Sequence, residues 1–197
     1  MKLWQLQPFY TIFDLYAPSN ICEIGTHNAR TACQFVKYLA PRVNRLHYTG
    51  YDLFEDADPV ITQQEHNGKG PGSLTRAMQS LAKMQSRHAN FTFEVTQGNT
   101  KSTLTQPKTF DFVYIDGGHS YDTVMHDFTM VCGSTALVFD DYQIKEVRQA
   151  VDEIIVAYPD YLAILLPTNN IRLKRQQMAM FWEPDSKLRS RLNRLLV

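Results

Sequence analysis

The chain has 197 residues and a mass of 22.7 kDa, a length that favours one domain over two. Its composition, 44% hydrophobic and 20% charged, supports a large core and excludes a disordered or low-complexity protein. Twenty Lys and Arg residues balance twenty Asp and Glu residues, so the whole chain has no charge excess that would attract a polyanion or a membrane surface.

Short apolar runs alternate with segments of helical spacing along nearly the whole chain, a pattern typical of parallel strands joined by crossover helices. After an N-terminal helical segment over residues 1–19, residues 20–25 form the first predicted strand. The helix that follows is stopped by Pro41, and its apolar positions recur at helical intervals: Ala29, Ala32, Cys33, Val36 and Leu39. Residues 46–52 form the second predicted strand.

A long polar segment, residues 55–72, follows the second strand and is rich in proline and glycine. We expect it to lack regular structure, and we interpret it as a mobile lid over a ligand pocket, with a disordered insertion as the alternative. Ser73 is predicted to cap the next helix. One face of that helix is predicted to be formed by Leu74, Ala77, Met78 and Leu81.

The second half of the chain continues the alternation. Strands are predicted over residues 90–95, 110–115 and 136–139, with helices over residues 121–131 and from about residue 144. Two closing strands, residues 161–166 and 177–182, are expected to be antiparallel to each other because the connection between them is short. The predicted fold is a single-domain, Rossmann-like α/β sheet that is mostly parallel, with an antiparallel closing strand and helices on both faces.

Polar or small residues occupy the carboxyl end of every strand from the first to the 136–139 strand. Ligands of open parallel sheets gather at these ends. Glu23 and Gly25 end the first strand, and Asp52 follows Gly25 by 27 residues, a spacing that suits a nucleoside whose ribose hydroxyls bind a carboxylate. No second glycine follows Gly25, so the close backbone approach that a pyrophosphate needs is missing and NAD or FAD is disfavoured.

The segment Tyr114 to Asp122, read as YIDGGHSYD, is the most specific motif in the chain. With it, residues 21–153 resemble the class I S-adenosylmethionine (SAM)-dependent methyltransferases, and within them the small metal-dependent O-methyltransferase-like group. The resemblance implies that Glu23 and Gly25 lie along the methionine part of SAM, that Asp52 binds its ribose and that Asn99 lies near its adenine. Thr26 and Asp116 are the further residues assigned to the cofactor. Ala29 departs from this pattern, because a glycine is usual there.

Acidic residues also end two successive strands, Asp116 on one and Asp140 with Asp141 on the next. Neighbouring strands lie about 5 Å apart, and carboxylates so close repel one another unless a cation or protons intervene. All-oxygen ligation favours Mg²⁺ or another oxygen-preferring divalent cation. The alternative for Asp140 and Asp141 is to cap a helix that begins near Gln143.

His119, three residues after Asp116, is the candidate general base, since an imidazole can take a proton near neutral pH. A structural or cofactor-contacting histidine is the alternative role for this residue. A plain Asp-Gly turn with Ser120 capping the helix would explain the glycines of the motif but not the histidine.

The leading functional hypothesis is SAM-dependent O-methylation of a small-molecule acceptor, assisted by a divalent cation. The alternatives are another metal-dependent enzyme on the same fold and a non-catalytic regulatory or assembly protein that binds the nucleoside. No apolar run approaches the roughly 18 residues of a membrane span, and residues 1–5 lack signal-peptide features, so we expect a cytoplasmic protein without membrane contact.

The C-terminal segment, residues 183–197, is basic and has leucines between its charges. It suits an amphipathic helix that docks on the rest of the protein, which carries more acidic than basic residues, or on a second subunit. Docking on a second subunit would make the protein a homo-oligomer. A nucleic-acid partner is not expected, because no aromatic platform or binding motif accompanies these charges.

Overall fold

The computed structural model of the chain describes residues 3–57, 70–166 and 177–182. Most of the segment predicted as a lid and the whole basic C-terminal segment lie outside the described residues. The predictions made for them therefore remain predictions.

Seven strands form one sheet in the order β3-β2-β1-β4-β5-β7-β6. Their bounds are β1 (Asn20–Ile24), β2 (Leu46–Asp52), β3 (Phe91–Gln97), β4 (Phe112–Ile115), β5 (Ala136–Phe139), β6 (Tyr161–Leu165) and β7 (Met178–Trp182). Strands β1 to β5 are parallel, and β7 pairs antiparallel with both β5 and β6. The predicted Rossmann-like sheet with an antiparallel closing strand is confirmed.

The central strands are continuous apolar runs because both of their faces are covered. All four residues of β4 and all four of β5 are buried, and only Asn20 of β1 is partly exposed. The strand order switches sides between β1 and β4: β2 and β3 extend the sheet on one side of β1, and β4 lies on the other side. This is the position at which open α/β sheets bind ligands.

Helices cover both faces of the sheet. The helices are α1 (Leu3–Tyr16), α2 (Arg30–Leu39), α3 (Leu74–Gln85), α4 (Thr100–Thr103), α5 (Tyr121–Val131) and α6 (Lys145–Ala157), with a 3-10 turn over Phe54–Asp56. One core lies between the sheet and α1, α2 and α3, and the other lies under α5 and α6. Among the described residues, no helix is long and apolar enough to cross a membrane.

An aromatic cluster fixes α1 and α2 on the sheet. Phe9 and Phe13 of α1 contact Phe35 of α2 at ring-centroid distances of 5.0 and 5.1 Å. Phe13 also meets Phe112 of β4 edge to face at 5.0 Å, and Phe9 meets Tyr114 at 5.1 Å. Such pairs add about 0.5–1.5 kcal/mol each beyond area burial, so α1 is an integral layer of the domain.

Several local predictions are wrong in detail. Ser73 occupies the N-cap position of α3 but makes no side-chain cap bond; instead the Glu55 carboxylate accepts the Leu74 N–H at 3.2 Å. Met78 is 41% exposed and therefore does not belong to the buried face of α3. Helix α6 begins at Lys145 with Ile144 at its N-cap, so neither Asp140 nor Asp141 occupies its N-cap position.

Candidate active site

The turn after β1 is built on a glycine that no other residue could replace. Gly25 has a φ of +98°, and a Cβ at this position would lie 2.0 Å from the carbonyl oxygen of Asp116. The Gly25 N–H donates to the Tyr51 carbonyl at 2.8 Å, so the turn is also fixed to β2. The ends of β1, β2 and β4 therefore touch at Gly25.

The rest of this turn, the cofactor loop (residues 25–29), adopts left-handed backbone at two residues that are not glycine. His27 has a φ of 50° and Ala29 a φ of 55°. Asp52 helps to hold this conformation, because its Oδ2 accepts the His27 N–H at 2.7 Å while its Oδ1 accepts the Phe54 N–H at 2.6 Å. Ala29 thus follows the backbone path expected of the glycine that the resemblance led us to expect there.

Residues 70–73 lie directly on the cofactor loop. A Cβ at Gly72 would lie 2.5 Å from the His27 Cα, so backbone packs on backbone at this point. The Asn28 side-chain oxygen accepts the Ser73 N–H at 3.0 Å. The described end of the segment predicted as a lid is therefore tied to the loop beneath it.

Two adjoining pockets lie along the carboxyl ends of β1, β2 and β4. The first pocket has walls that include Gly25, Thr26, His27, Asp52, Gly72 and Asp116. The second pocket has walls that include Gly25, Asp52, Asn99, Lys101, Gly118 and Asp127. Because Gly25 and Asp52 belong to both walls, the two pockets adjoin at these residues, and together they are called the elongated cavity.

Glu23 lies beneath this cavity rather than in its wall. The side chain is 1% exposed, and its Oε2 accepts the Tyr48 hydroxyl proton at 2.7 Å. Burial raises the pKa of Glu23 well above its usual range, although the hydrogen bond from Tyr48 opposes that rise. The contact of Glu23 with a cofactor stays a prediction, and Thr26 is the residue of the cofactor loop that links Glu23 to the first pocket.

Asn99 serves two purposes at the carboxyl end of β3. Its side-chain oxygen accepts the Lys101 N–H at 2.9 Å, which caps the short helix α4, and the residue also lines the second pocket. The turn role and the predicted position near a bound ring are thus compatible. The sequence reasoning missed Asp127 of α5, which is 1% exposed and lines the same pocket.

Asp116, Asp140 and Asp141 come together where β4 and β5 end. One carboxylate oxygen from each lies within 4.8 Å of the others. His119 Nε2 lies 3.3 Å from Asp141 Oδ2, and Asp116 and His119 line a third, small pocket beside the first. Three carboxylates and an imidazole therefore meet in a pocket that shares Asp116 with the first pocket and Gly118 with the second.

Asp140 is held from the interior of the protein. It is 3% exposed, its Oδ2 accepts the Tyr114 hydroxyl proton at 2.5 Å and its Oδ1 accepts from Gln177 Nε2 at 3.2 Å. Asp141 has a φ of 50°, and its Oδ1 accepts from Gln143 Nε2 at 2.7 Å. Left-handed backbone at a residue other than glycine is characteristic of functional sites.

Ser120 caps α5, accepting the Thr123 N–H at 3.4 Å. The motif therefore provides both the helix cap at Ser120 and one carboxylate, Asp116, of the acidic cluster. Tyr48, Tyr114 and Gln177, which hold Glu23 and Asp140, were not predicted, because no local sequence signal marks a buried polar group whose partner is a distant residue.

A family model described as "Methyltransferase domain" matches residues 22–142 of the chain. No curated protein matches the sequence. The O-methyltransferase from Bacillus cereus in complex with SAH has a similar structure, with 17% identity, a TM-score of 0.63 and coverage of 92% of this chain and 82% of that one. TomG from Streptomyces achromogenes, an O-methyltransferase involved in tomaymycin synthesis and solved with SAM, has 15% identity, a TM-score of 0.58 and coverage of 90% and 80%.

The fold also occurs outside the methyltransferases. Spermidine synthase from Thermotoga maritima has 10% identity, a TM-score of 0.54 and coverage of 94% of this chain and 61% of that one. At these identities the structural likenesses show the fold alone.

Proposed function

The chain belongs to the methyltransferase family whose model spans residues 22–142, and on that premise we propose that it moves a methyl group from SAM to an oxygen of a small-molecule acceptor. The SAM and SAH complexes of the structurally similar O-methyltransferases support SAM as the donor. The absence of any net charge over the whole chain favours a small molecule over a nucleic acid as the acceptor.

The observation that carries the proposal is the position of Asp52 between the two pockets. Each Asp52 oxygen already accepts one backbone N–H, and each retains a second lone pair for a ribose hydroxyl. An adenine would then lie in the second pocket beside Asn99, and the amino-acid part would lie in the first pocket beside Thr26. Because Gly25 has no side chain, no side-chain atom of this residue lies between the first and the second pocket.

The residues Asp116, Asp140 and Asp141 fit a divalent cation. Their oxygens lie within 4.8 Å of one another, and all-oxygen ligation suits Mg²⁺, Mn²⁺ or Ca²⁺. When bound, such a cation supplies a positive charge that lowers the pKa of an acceptor hydroxyl. Tyr114 and Gln177 keep the Asp140 carboxylate in place, and Gln143 does the same for Asp141.

His119 would act as the general base. The acceptor O–H bond breaks, its proton passes to the imidazole, and the oxygen forms its bond to the methyl carbon as the S–CH₃ bond breaks to leave SAH. The Asp141 carboxylate, 3.3 Å from His119 Nε2, would stabilise the imidazolium that results. The protein contributes mainly alignment and a deprotonated nucleophile.

The proposal is tested with SAM carrying a ¹³C-methyl group and a panel of catechol, phenol, sugar and amino-sugar acceptors, assayed with Mg²⁺ or with a chelator. The expected product, found by mass spectrometry, is a methyl ether whose formation falls at least about tenfold with the chelator. Label found only on nitrogen or carbon would contradict oxygen as the acceptor atom, and full activity with the chelator would contradict the role of the cation.

In the same assay, His119→Ala is expected to lower kcat by about 10²-fold, because general-base catalysis contributes at least that much. The affinity for SAH measured by calorimetry should change less than about twofold. His47→Ala is the matched control, since His47 lies at the opposite end of β2 from Asp52 and should leave both quantities unchanged. Normal turnover in His119→Ala would remove the assigned base.

A further inference from the structure

His27, which lines the first pocket, is held at three points. Its backbone N–H donates to Asp52 Oδ2 at 2.7 Å, and its Cα packs so closely on Gly72 that a Cβ there would approach it to 2.5 Å. The ring Nδ1 lies 2.9 Å from Asn28 Nδ2. The backbone of His27 is left-handed, with a φ of 50°, and such backbone at a residue other than glycine is concentrated at functional sites. The ring is therefore a candidate for contact with a ligand.

The orientation of the Asn28 amide follows from its second partner. Asn28 Oδ1 accepts the Ser73 N–H at 3.0 Å. A backbone N–H can only donate, so the amide oxygen of Asn28 must face Ser73 and its NH₂ group must face the His27 ring. Because the backbone of Gly72 packs on His27, the two partners of Asn28 are fixed relative to each other.

This orientation fixes the proton of the His27 imidazole. An amide NH₂ group donates and does not accept, so Nδ1 of His27 accepts the hydrogen bond from Asn28. A proton on Nδ1, whether in the other tautomer or in the imidazolium, would place two donors 2.9 Å apart. The contact therefore stabilises the neutral ring with its proton on Nε2. Since Nδ1 is occupied, a ligand that bonds to a nitrogen of this ring can only accept from Nε2–H.

The charges of the first pocket suit the two ends of an amino acid. Asp52 and Asp116 line the pocket and favour an ammonium group there. The same two carboxylates would repel the carboxylate of an amino acid unless hydrogen-bond donors lie beside it. His27 supplies a neutral donor to this pocket, and the exposed Arg30 lines it as well and adds a positive charge.

We propose that His27 binds the carboxylate of the amino-acid part of SAM through Nε2–H, and that Asn28 is the positioning residue that fixes this tautomer. The inference rests on the proposed function, which places the amino-acid part of SAM in the first pocket. It also gives the two histidines of the site different roles. His119 takes up the proton of the acceptor, whereas His27 has no lone pair left with which to do so.

Nuclear magnetic resonance on protein with ¹⁵N-labelled histidine tests the tautomer without any ligand. His27 is expected to show a protonated Nε2 and an unprotonated Nδ1. In Asn28→Asp the new carboxylate still accepts the Ser73 N–H, but it cannot donate to the ring, so Nδ1 should now carry a proton. The resonances of His47, whose Nδ1 contacts Thr92 Oγ1, are the control and should not change. A proton on Nδ1 of His27 in the original protein would overturn the inference.

Calorimetry tests the contact with the carboxylate. The ligands are SAH, SAH without its carboxyl group, and 5′-methylthioadenosine, which lacks the whole amino-acid part. In His27→Phe, SAH is expected to bind about tenfold more weakly, the loss typical of one hydrogen bond to a charged group, while both analogues bind within about twofold of their original affinity. His27→Gln should keep SAH affinity within about threefold, because the Gln amide can donate from about the position of Nε2.

The outcomes separate this inference from the proposed function. If the original protein binds neither SAH nor 5′-methylthioadenosine, the proposed function itself fails, and the inference fails with it. If it binds both, and His27→Phe weakens all three ligands equally or none of them, the inference is overturned while the proposed function stands. A selective loss of SAH affinity in Arg30→Met, with none in His27→Phe, would assign the carboxylate to Arg30 and would overturn the inference as well.

Discussion

Asp52→Ala is expected to weaken SAH binding by about 10³-fold. The carboxylate would lose its contacts with two ribose hydroxyls, and a hydrogen bond to a charged group contributes about 1.5–3 kcal/mol. The same change removes the acceptor of the His27 and Phe54 N–H groups, so the left-handed cofactor loop would also lose its anchor. Isothermal calorimetry with SAH measures the loss directly.

Asp56→Ala is the matched control for this experiment. Asp56 is an exposed acid four residues further along the chain, and its Oδ1 accepts only from Gln97 Nε2 among the hydrogen bonds described for it. Its replacement should leave SAH affinity within about twofold. If Asp52→Ala binds SAH as tightly as Asp56→Ala does, the ribose does not bind at Asp52.

Gly25→Ala is expected to lower the free energy of unfolding by about 2–5 kcal/mol and to abolish SAH binding. The new methyl carbon would lie 2.0 Å from the Asp116 carbonyl oxygen, so β1 and β4 must move apart at the centre of the sheet. Overpacking of this kind costs about 1–3 kcal/mol, and a positive φ adds about 1–2 kcal/mol for a residue with a side chain. Denaturant unfolding measures the change.

Gly133→Ala separates the two contributions. Gly133 also has a positive φ, +92°, but a Cβ there would meet only Thr109 Cγ2, at an ordinary 3.5 Å. It should therefore show the backbone cost of about 1–2 kcal/mol without the collision. Equal destabilisation by the two substitutions would mean that the contact between Gly25 and Asp116 carries no special cost.

The sheet could be predicted from the sequence because two signals mark each of its central strands, an apolar run and a polar residue directly after it. In β4 and β5 every residue is buried, so the strands appear as unbroken apolar runs, and each ends at an aspartate. Parallel strands bring such ends to one edge. To predict that Asp116 lies near Asp140 and Asp141, it was therefore enough to assume that β4 and β5 are neighbouring parallel strands.

The supporting contacts could not be predicted in this way. Either Ser73 or Glu55 could accept a backbone N–H from the first turn of α3. Which of them does so depends on the path of the chain between the two residues, and the helical pattern does not contain that information. The exposure of Met78 depends on how α3 is rotated on the sheet, and an apolar residue on a helix flank fits either answer. Tyr48 and Tyr114 read as ordinary core aromatics until Glu23 and Asp140 are placed against them.

The crystal structure of the protein with SAH bound tests the central claim most directly. We expect one molecule of SAH along the elongated cavity, with its ribose hydroxyls on Asp52, its adenine beside Asn99 and its amino-acid part beside Thr26. Electron density for SAH away from Gly25 and Asp52, or in the reverse orientation with adenine against Thr26, would contradict the account.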